Sequence, residues 1–286
     1  MKVAVTGASG FIGQYVCQEL VRRGIEVVSV RRMSSMGSMI NAKQLTSELF
    51  IDYTMPTAEQ LDEIVACDAL IHLAWGGLPN YSSCHHFEVE LPQQYQFLKQ
   101  LIERGLSSLF VAGTCFEYGM QSGCLSEEVS AQPINPYGFA KYTLYQQLSY
   151  LQQAHSFNMQ WGRLFYTYGE GQAPSSLYAL LQKAIAQGDE FFPMSGGEQL
   201  RDFLPVDEMA RIIVQIAISR QNLGVMNVCS GQPTSVRRLV EKWIKEQHAS
   251  IQLNLGHYPY SSFEPMAFCG CTTKLYNLLH RMEYDQ

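Results

Sequence analysis

The sequence is short of charge and has no long apolar run. Charged residues make up 16% of the 286 residues, and 20 basic against 26 acidic residues give a net charge of −6. This balance argues against a nucleic acid as the main partner, because phosphate contacts need a basic surface. No stretch of about 18 apolar residues is present, so no membrane-spanning helix is expected. The 47% of hydrophobic residues nevertheless suffices for a sizeable core.

Spaced pairs of cysteines are also missing, and we expect no secretion signal. Met1-Lys2 leads directly into a strand-like run, without an apolar segment before a cleavage site,. The eight cysteines are scattered, which indicates reduced thiols and predicts a cytoplasmic protein. Cys84-His85-His86 and Cys269-Gly270-Cys271 contain metal-binding side chains, but neither has the second pair that structural zinc sites use. We therefore predict no metal site.

The first half of the chain alternates apolar strands with helical segments. We predict strands at Val3–Thr6, Glu26–Val30, Ala69–Ala74 and Leu109–Ala112, and helices at Phe11–Arg23, Pro92–Arg104 and Tyr137–Ala154. Strands that alternate with helices are typical of a parallel sheet covered on both faces, the α/β class.

The second half has a looser pattern. We predict strands at Arg163–Tyr168 and Val225–Val228, and helices at Ser176–Gln187, Val206–Ser219 and Ser235–Gln247. These segments predict a smaller, discontinuous substrate-binding lobe, mainly from residues 166–286. Residues 1–165 would form the dinucleotide-binding domain, completed by parts of residues 200–230.

Three glycines follow the first predicted strand and open the first predicted helix. Gly7 permits a tight turn, Gly10 lets the backbone approach a pyrophosphate, and Gly13 lets the helix pack close to the sheet,. The helix N-terminus offers N–H groups and a favourable dipole to phosphates. In this strand–turn–helix context, the spacing predicts a dinucleotide site.

The end of the second strand bears on the choice of coenzyme. An acidic residue there would bind the 2′-hydroxyl of NAD, whereas this chain has Arg31 and Arg32,. A guanidinium suits a 2′-phosphate, so NADP(H) is favoured and NAD(H) stays possible. The alternative is two solvated surface arginines. Asp52, where a third strand could end, is a candidate contact for the adenine amino group.

A phenol and an ammonium lie four residues apart in Tyr137 and Lys141, on one face of the predicted helix. Tyrosine has a pKa of about 10, and a nearby ammonium, together with the positive nicotinamide of the oxidised coenzyme, favours the phenolate. Lys141 can also hold the nicotinamide ribose. Thr114, just past a predicted strand, can fix the substrate oxygen. In the reducing direction, Tyr137 would protonate the oxyanion that hydride transfer creates.

With these motifs, the chain resembles the extended short-chain dehydrogenase/reductases, the NAD-dependent epimerase/dehydratase group. The resemblance covers nearly the whole chain, through Thr6–Gly13, Ile71–Ala74, Thr114 with Tyr118-Gly119, Asn135–Lys141, Tyr168-Gly169, Arg201–Asp207 and Asn227–Gly231. It implies a Rossmann doubly wound sheet, a nucleotide-sugar lobe, and coenzyme contacts from Ser9, Phe11, Ile12, Leu73 and Ala74. It also implies that Arg201 contacts the substrate pyrophosphate; the alternative is a surface pair between Arg201 and Asp202. Many relatives form homodimers through a four-helix bundle, here from residues 90–104 and 137–154.

Two departures from the family pattern are informative. Sugar-nucleotide 4,6-dehydratases carry an Asp-Glu pair after the threonine, where this chain has Cys115 and Phe116. Neither exchanges a proton as elimination requires, and Glu117 is one residue off and should be aimed elsewhere. Tyr166 stands where many relatives have an asparagine that holds substrate phosphates. Thr114, Cys115, Phe116 and Tyr166 are predicted substrate contacts, and Tyr81 and Tyr178 are candidates to line the sugar pocket.

Our hypothesis is therefore a reductase for the 4-keto group of a nucleotide-linked 4-keto-6-deoxyhexose, dTDP-linked, that makes a deoxysugar for O-antigen or other surface polysaccharide. A nucleotide-sugar 4-epimerase with tightly bound NAD is the first alternative. A non-catalytic, dinucleotide-sensing regulator is the second, although such proteins commonly lose the Tyr/Lys pair.

Overall fold

A computed structural model describes residues 1–32 and 47–284 of the chain. Its strands are β1 (Lys2–Thr6), β2 (Glu26–Arg32), β3 (Ser47–Ile51), β4 (Ala69–His72), β5 (Ser108–Thr114), β6 (Gly123–Leu125), β7 (Asn158–Leu164), β8 (Tyr166–Tyr168), β9 (Phe191–Pro193), β10 (Leu200–Pro205), β11 (Gly224–Val228), β12 (Pro233–Ser235), β13 (Gln252–Asn254) and β14 (Phe268–Gly270). Its α-helices are α1 (Phe11–Arg22), α2 (Ala58–Val65), α3 (Leu91–Glu103), α4 (Pro136–Ala154), α5 (Leu177–Gln187), α6 (Val206–Ser219), α7 (Val236–Glu246) and α8 (Thr273–Tyr284).

Seven parallel strands form the main sheet in the order β11-β7-β5-β4-β1-β2-β3. The chain winds outward from β1 in one direction through β2 and β3, and in the other from β4 onward. The predicted doubly wound α/β sheet is thus confirmed. The order reverses between β1 and β4, and ligands bind in such sheets outside the carboxyl ends of the strands at this crevice.

Helices cover both faces of the sheet, each through an apolar stripe. One face packs against α2, α3 and α4 through side chains such as Leu61, Phe97 and Leu144. The other packs against α1, α6 and α8 through side chains such as Leu20, Ile213 and Leu278. Because both faces are covered, the strands are apolar on both sides. Strand β11 is thus part of the large sheet and helix α6 packs on its face, although both lie late in the chain.

A smaller part of the fold begins where β7 ends. Strand β8 forms a three-stranded sheet in the order β12-β10-β8, and α5 and α7 enclose a separate core that includes Leu181, Phe192 and Trp243. The prediction of one strand at Arg163–Tyr168 is wrong, because the segment divides between two sheets. Phe165 is the break: its ring is buried against Phe268, and its N–H donates to the carbonyl of Val228. Helices α2 and α8 were not predicted.

Candidate active site

Gly7 and Gly13, at the two ends of the glycine turn after β1, are packed too closely to admit side chains. Gly7 has a φ of +68°, and a Cβ there would lie 2.8 Å from the backbone nitrogen of Ala74. A Cβ on Gly13 would lie 2.1 Å from the carbonyl oxygen of Gly7. Gly10 is the N-cap of helix α1 and provides no side-chain hydrogen bond, so no N-cap side chain covers the first N–H groups of the helix. This geometry fits a dinucleotide pyrophosphate.

Two cavities open at the carboxyl edge and share residues of the turn and of the β4 end. The tyrosine cavity, of about 400 Å³, contains Tyr137, and the arginine cavity, of about 290 Å³, contains Arg31. Among the predicted coenzyme contacts, three line both cavities: Gly7, Gly10 and Leu73. The tyrosine cavity is also lined by Phe11, Ile12, Gly13 and Lys141. The arginine cavity is also lined by Ser9, Arg31, Arg32 and Ala74. A long ligand can therefore run from the arginines to the tyrosine.

The two arginines at the end of β2 differ in their surroundings. Arg31 is buried, its Nη1 lies 2.6 Å from Glu48 Oε1, and its guanidinium lies 5.3 Å from the ring centroid of Phe50. Arg32 is exposed. Asp52 lines neither cavity; its carboxylate accepts hydrogen bonds from Thr54 N and Oγ1 at 2.8 and 2.6 Å. The structure thus brings the arginines, but not Asp52, to the predicted coenzyme groove.

Helix α4 presents Tyr137 and Lys141 to the tyrosine cavity. Asn135 caps the helix, because its Oδ1 accepts the N–H of Gly138 at 2.8 Å,. A Cβ on Gly138 would lie 2.7 Å from the carbonyl oxygen of Phe116, so the helix start touches the loop after β5. Lys141 is buried, and its Nζ donates to the carbonyl oxygen of Ala112 at 2.8 Å.

Burial dominates the acid–base properties of both groups. It raises the pKa of Tyr137 above its usual range, Tyr81 and Cys115 raise it further, and a hydrogen bond with Thr114 opposes them. Burial lowers the pKa of Lys141 to about 7. Among these side chains alone, desolvation favours the neutral phenol, and the effect of the ammonium together with the oxidised nicotinamide stays a prediction. A neutral phenol is a proton donor.

Thr114 ends β5 and is held by a buried ion pair behind it. Its N–H donates to Glu117 Oε1 at 2.9 Å, and its Oγ1 accepts the N–H of Phe116 at 3.2 Å. Glu117 also accepts from Trp161 Nε1 at 2.9 Å and pairs with Arg163 at 2.8 Å. As expected, Glu117 is aimed away from the cavity. It supports Thr114 instead of exchanging protons.

The loop after Thr114 lines the cavity with groups that do not exchange protons. Cys115 is buried, and burial raises the pKa of its thiol, while the Phe116 ring lies 4.9 Å from Tyr81 and 6.3 Å from Tyr166. All four line the tyrosine cavity. Tyr178 does not; it packs against Trp243 at 5.0 Å in the smaller core.

Arg201 is buried behind Tyr166 and is paired with Glu264. Its Nη2 and Nε lie 2.9 and 3.1 Å from Glu264 Oε2, which also accepts the Tyr166 hydroxyl at 2.9 Å. The alternative of a surface pair between Arg201 and Asp202 is wrong. Asp202 is fully buried and accepts the N–H groups of Ser230 and Gly231 at 2.7 and 2.8 Å.

Trp75, which lines the site, and His86 and Glu264, which lie behind it, were not predicted as site residues from the sequence. Trp75 lines both cavities, and its Nε1 donates to His86 Nδ1 at 3.1 Å. Its place directly after the Ile71–Ala74 motif is a signal that was available. Glu264 had no such signal, since it lies 63 residues from Arg201.

Within residues 1–32 and 47–284, no three His, Cys, Asp or Glu side chains are grouped so that they could hold a metal ion. The helices of these residues are also too short or too polar to span a bilayer.

Comparison with known proteins gives consistent matches over most of the chain. The model of the NAD-dependent epimerase/dehydratase family matches residues 3–229. A dTDP-6-deoxy-L-talose 4-dehydrogenase (NAD(+)) of Aggregatibacter actinomycetemcomitans is 31% identical, over 94% of this chain and 99% of that protein. An uncharacterized UDP-glucose epimerase of Bacillus subtilis is 26% identical, over 84% and 80%.

Solved structures agree on the fold. The UDP-glucuronic acid 4-epimerase of Bacillus cereus, in complex with UDP-glucuronic acid and NAD, superimposes with a TM-score of 0.81 at 23% identity, over 98% of this chain and 93% of that one.

Proposed function

Since the chain belongs to the NAD-dependent epimerase/dehydratase family, we propose that it reduces the 4-keto group of a dTDP-linked 4-keto-6-deoxyhexose with NAD(P)H. One observation carries the proposal: Thr114, Tyr137 and Lys141 line one cavity, while Cys115 and Phe116 stand where a dehydratase has its acids. The site can move a proton at a carbinol or carbonyl oxygen but has no second acid–base pair for removing water.

The relative from Aggregatibacter supports the substrate class. Its name places its reaction at carbon 4 of a dTDP-linked 6-deoxyhexose, in the oxidative direction. Oxidation of that hydroxyl and reduction of the ketone are one reaction in two directions and need the same groups. For this chain we propose the reductive direction, which yields a deoxysugar nucleotide for surface polysaccharide.

Each catalytic side chain has a role in that direction. A reduced nicotinamide supplies the hydride. Tyr137, kept neutral by burial, donates its proton to the developing oxyanion at carbon 4. Thr114 fixes the same oxygen, and its own position is fixed by Glu117. Lys141 binds the nicotinamide ribose and supplies positive charge beside the phenol.

The coenzyme proposal is a preference for NADPH, because Arg31 and Arg32 line the arginine cavity and a guanidinium suits a 2′-phosphate. Arg31 is buried, whereas Arg32 is exposed, so Arg32 is the residue to test first. Arg32→Gln should lower kcat/KM for NADPH about tenfold or more, as for loss of a charged hydrogen bond, and leave that for NADH nearly unchanged. Equal kcat/KM for both coenzymes in the parent enzyme would reject the preference.

We also propose a homodimer through α3 and α4. The two helices pack side by side, and α4 exposes Phe139 (49%) and Tyr150 (72%). Light scattering should give twice the mass of the chain, and Tyr150→Glu should shift the population towards monomer.

The deciding experiment follows nicotinamide absorbance with dTDP-4-keto-6-deoxyglucose and with its L-lyxo epimer, each with NADPH and with NADH. We expect rapid oxidation of the reduced coenzyme with one of the two sugars. Tyr137→Phe should lower kcat by about 10²–10⁴-fold, the usual contribution of a general acid, and keep coenzyme affinity. Tyr276→Phe, an exposed tyrosine on α8, is the matched control. A fully active Tyr137→Phe enzyme would overturn the mechanism.

A nucleotide-sugar 4-epimerase is the second candidate, favoured by the epimerase name of the Bacillus subtilis relative. An epimerase retains its coenzyme through the cycle, whereas a reductase releases it. Stoichiometric NAD in purified protein, together with interconversion of UDP-hexoses without net reduction, would favour the epimerase.

A further inference from the structure

Trp75 lies where the two cavities meet, three residues after the end of β4. The Nζ of Lys141 lies 3.9 Å from the centroid of a Trp75 ring, well within the range of a cation–π contact. The same Nζ donates to the carbonyl oxygen of Ala112 at 2.8 Å. The ammonium is thus held from two sides, by an aromatic face and by a strand carbonyl.

The indole is itself fixed by a histidine. Trp75 Nε1 lies 3.1 Å from His86 Nδ1. Since an indole nitrogen only donates, Nδ1 must be the acceptor. His86 Nε2 lies 2.8 Å from the carbonyl oxygen of Asn80 and must therefore carry the proton. His86 is buried, and burial lowers its pKa, which keeps this neutral tautomer. The order of contacts is Asn80, His86, Trp75, Lys141.

We propose that Trp75 is a positioning residue that holds the Lys141 ammonium in its charged form, and that His86 fixes the orientation of the indole. The effect on turnover rests on the proposed function. The contact between indole and ammonium does not, and it can be measured without substrate.

Other titratable groups around Lys141 also affect its pKa. Burial lowers its pKa to about 7, and the carboxylates of Glu117, behind Thr114, and Glu90, at the start of α3, raise it. His72 on β4 and His86 are neutral neighbours, since burial lowers the pKa of each. On α4, Tyr137 is a neutral phenol whose ring centroid lies 5.9 Å from Nζ. Without the aromatic face, the ammonium should lose its proton at lower pH.

The kinetic test compares Trp75→Leu with Trp75→Phe. A cation–π contact is worth about 0.5–2 kcal/mol, which corresponds to about half to one and a half pH units. Trp75→Leu should move the alkaline fall of kcat/KM to lower pH by this amount. Trp75→Phe keeps an aromatic face, so the alkaline fall of its kcat/KM should stay close to that of the parent enzyme. A purely structural role would lower activity equally at every pH, and that result would overturn the proposal.

The second test uses the tryptophan fluorescence of the full-length protein without substrate. A pH titration should show a transition near pH 7 that Lys141→Met and Trp75→Phe both abolish and that Trp243→Phe, in the smaller core, leaves in place. His86→Phe should lower the midpoint, because the indole loses its acceptor. A titration unchanged by Lys141→Met would overturn the contact. A missing reductase activity with this transition intact would overturn the proposed function alone.

Discussion

The proposed coenzyme side and the proposed substrate side of the site are built in different ways, and Arg201 and Glu264 on the substrate side lie behind Tyr166 instead of lining the tyrosine cavity. On the coenzyme side, backbone groups approach one another closely, as where Gly13 meets the carbonyl of Gly7. On the substrate side, long side chains contact one another: Arg201 reaches Glu264, and Glu264 reaches Tyr166. The first arrangement is rigid and admits few substitutions. The second depends on contacts between side chains, so under the proposed function we expect sugar specificity to change there without disturbing the fold.

The largest effect that we expect concerns the buried histidine at the end of β4. Burial lowers the pKa of His72 to about 3, against about 6.5 in the unfolded chain. The unfolded state thus binds more protons between these values, and the free energy of unfolding falls as the pH drops from 6.5 to 3. The loss from this group approaches about 4–5 kcal/mol. Urea unfolding at several pH values should show that His72→Asn removes this part of the slope, whereas exposed His257→Gln keeps it.

The second prediction breaks the support of Thr114. Glu117→Gln leaves Arg163 buried without its carboxylate partner. Breaking one partner of a buried pair costs about 3–5 kcal/mol, which denaturant unfolding would detect. Glu241→Gln removes half of an exposed pair with Arg237 and should cost less than about 1 kcal/mol. Equal costs for both variants would contradict the assignment of Glu117 as a buried support.

The third prediction concerns the tight packing of the glycine turn. Gly13→Ala places a methyl group against the Gly7 carbonyl, and we expect a loss of about 3 kcal/mol in stability together with weakened coenzyme binding. Gly105→Ala serves as the comparison, since a Cβ there would meet no atom within 4 Å. Its positive φ should cost only about 1 kcal/mol. Thermal unfolding and titration with NADPH would separate the two variants.

The smallest effects should come from the substrate side, and they should have opposite signs. If Arg201 binds the diphosphate of the sugar nucleotide, Arg201→Met should raise KM for the sugar about tenfold or more, as for loss of a charged hydrogen bond. Glu264→Gln should lower KM by a few fold, because a carboxylate no longer competes for the guanidinium. Both variants should leave KM for the coenzyme unchanged. An unaltered sugar KM in Arg201→Met would show that the diphosphate binds elsewhere.

Much of the coenzyme side was predictable because its signals are local. The glycine spacing, the strand before it and the helix after it lie within the first 22 residues, and periodicity placed α1 and α6 to within a residue. The strand prediction at Arg163–Tyr168 failed because an apolar run does not reveal that its two halves pair with different sheets. Helix α2, which begins with the Thr57 capping box, had a readable signal that was missed.

The sequence by itself determined the alternation of strands and helices, the glycine turn, and the spacing of Tyr137 and Lys141, because these depend on neighbours within a few turns of the chain. Only the tertiary structure decided the partners of the charged groups. Glu117 forms an ion pair with Arg163, and Asp202 accepts hydrogen bonds from the backbone of residues 230 and 231. Lys141 forms a cation–π contact with Trp75. Buried charges must find a partner within a few ångströms, and folding decides which distant residue lies there.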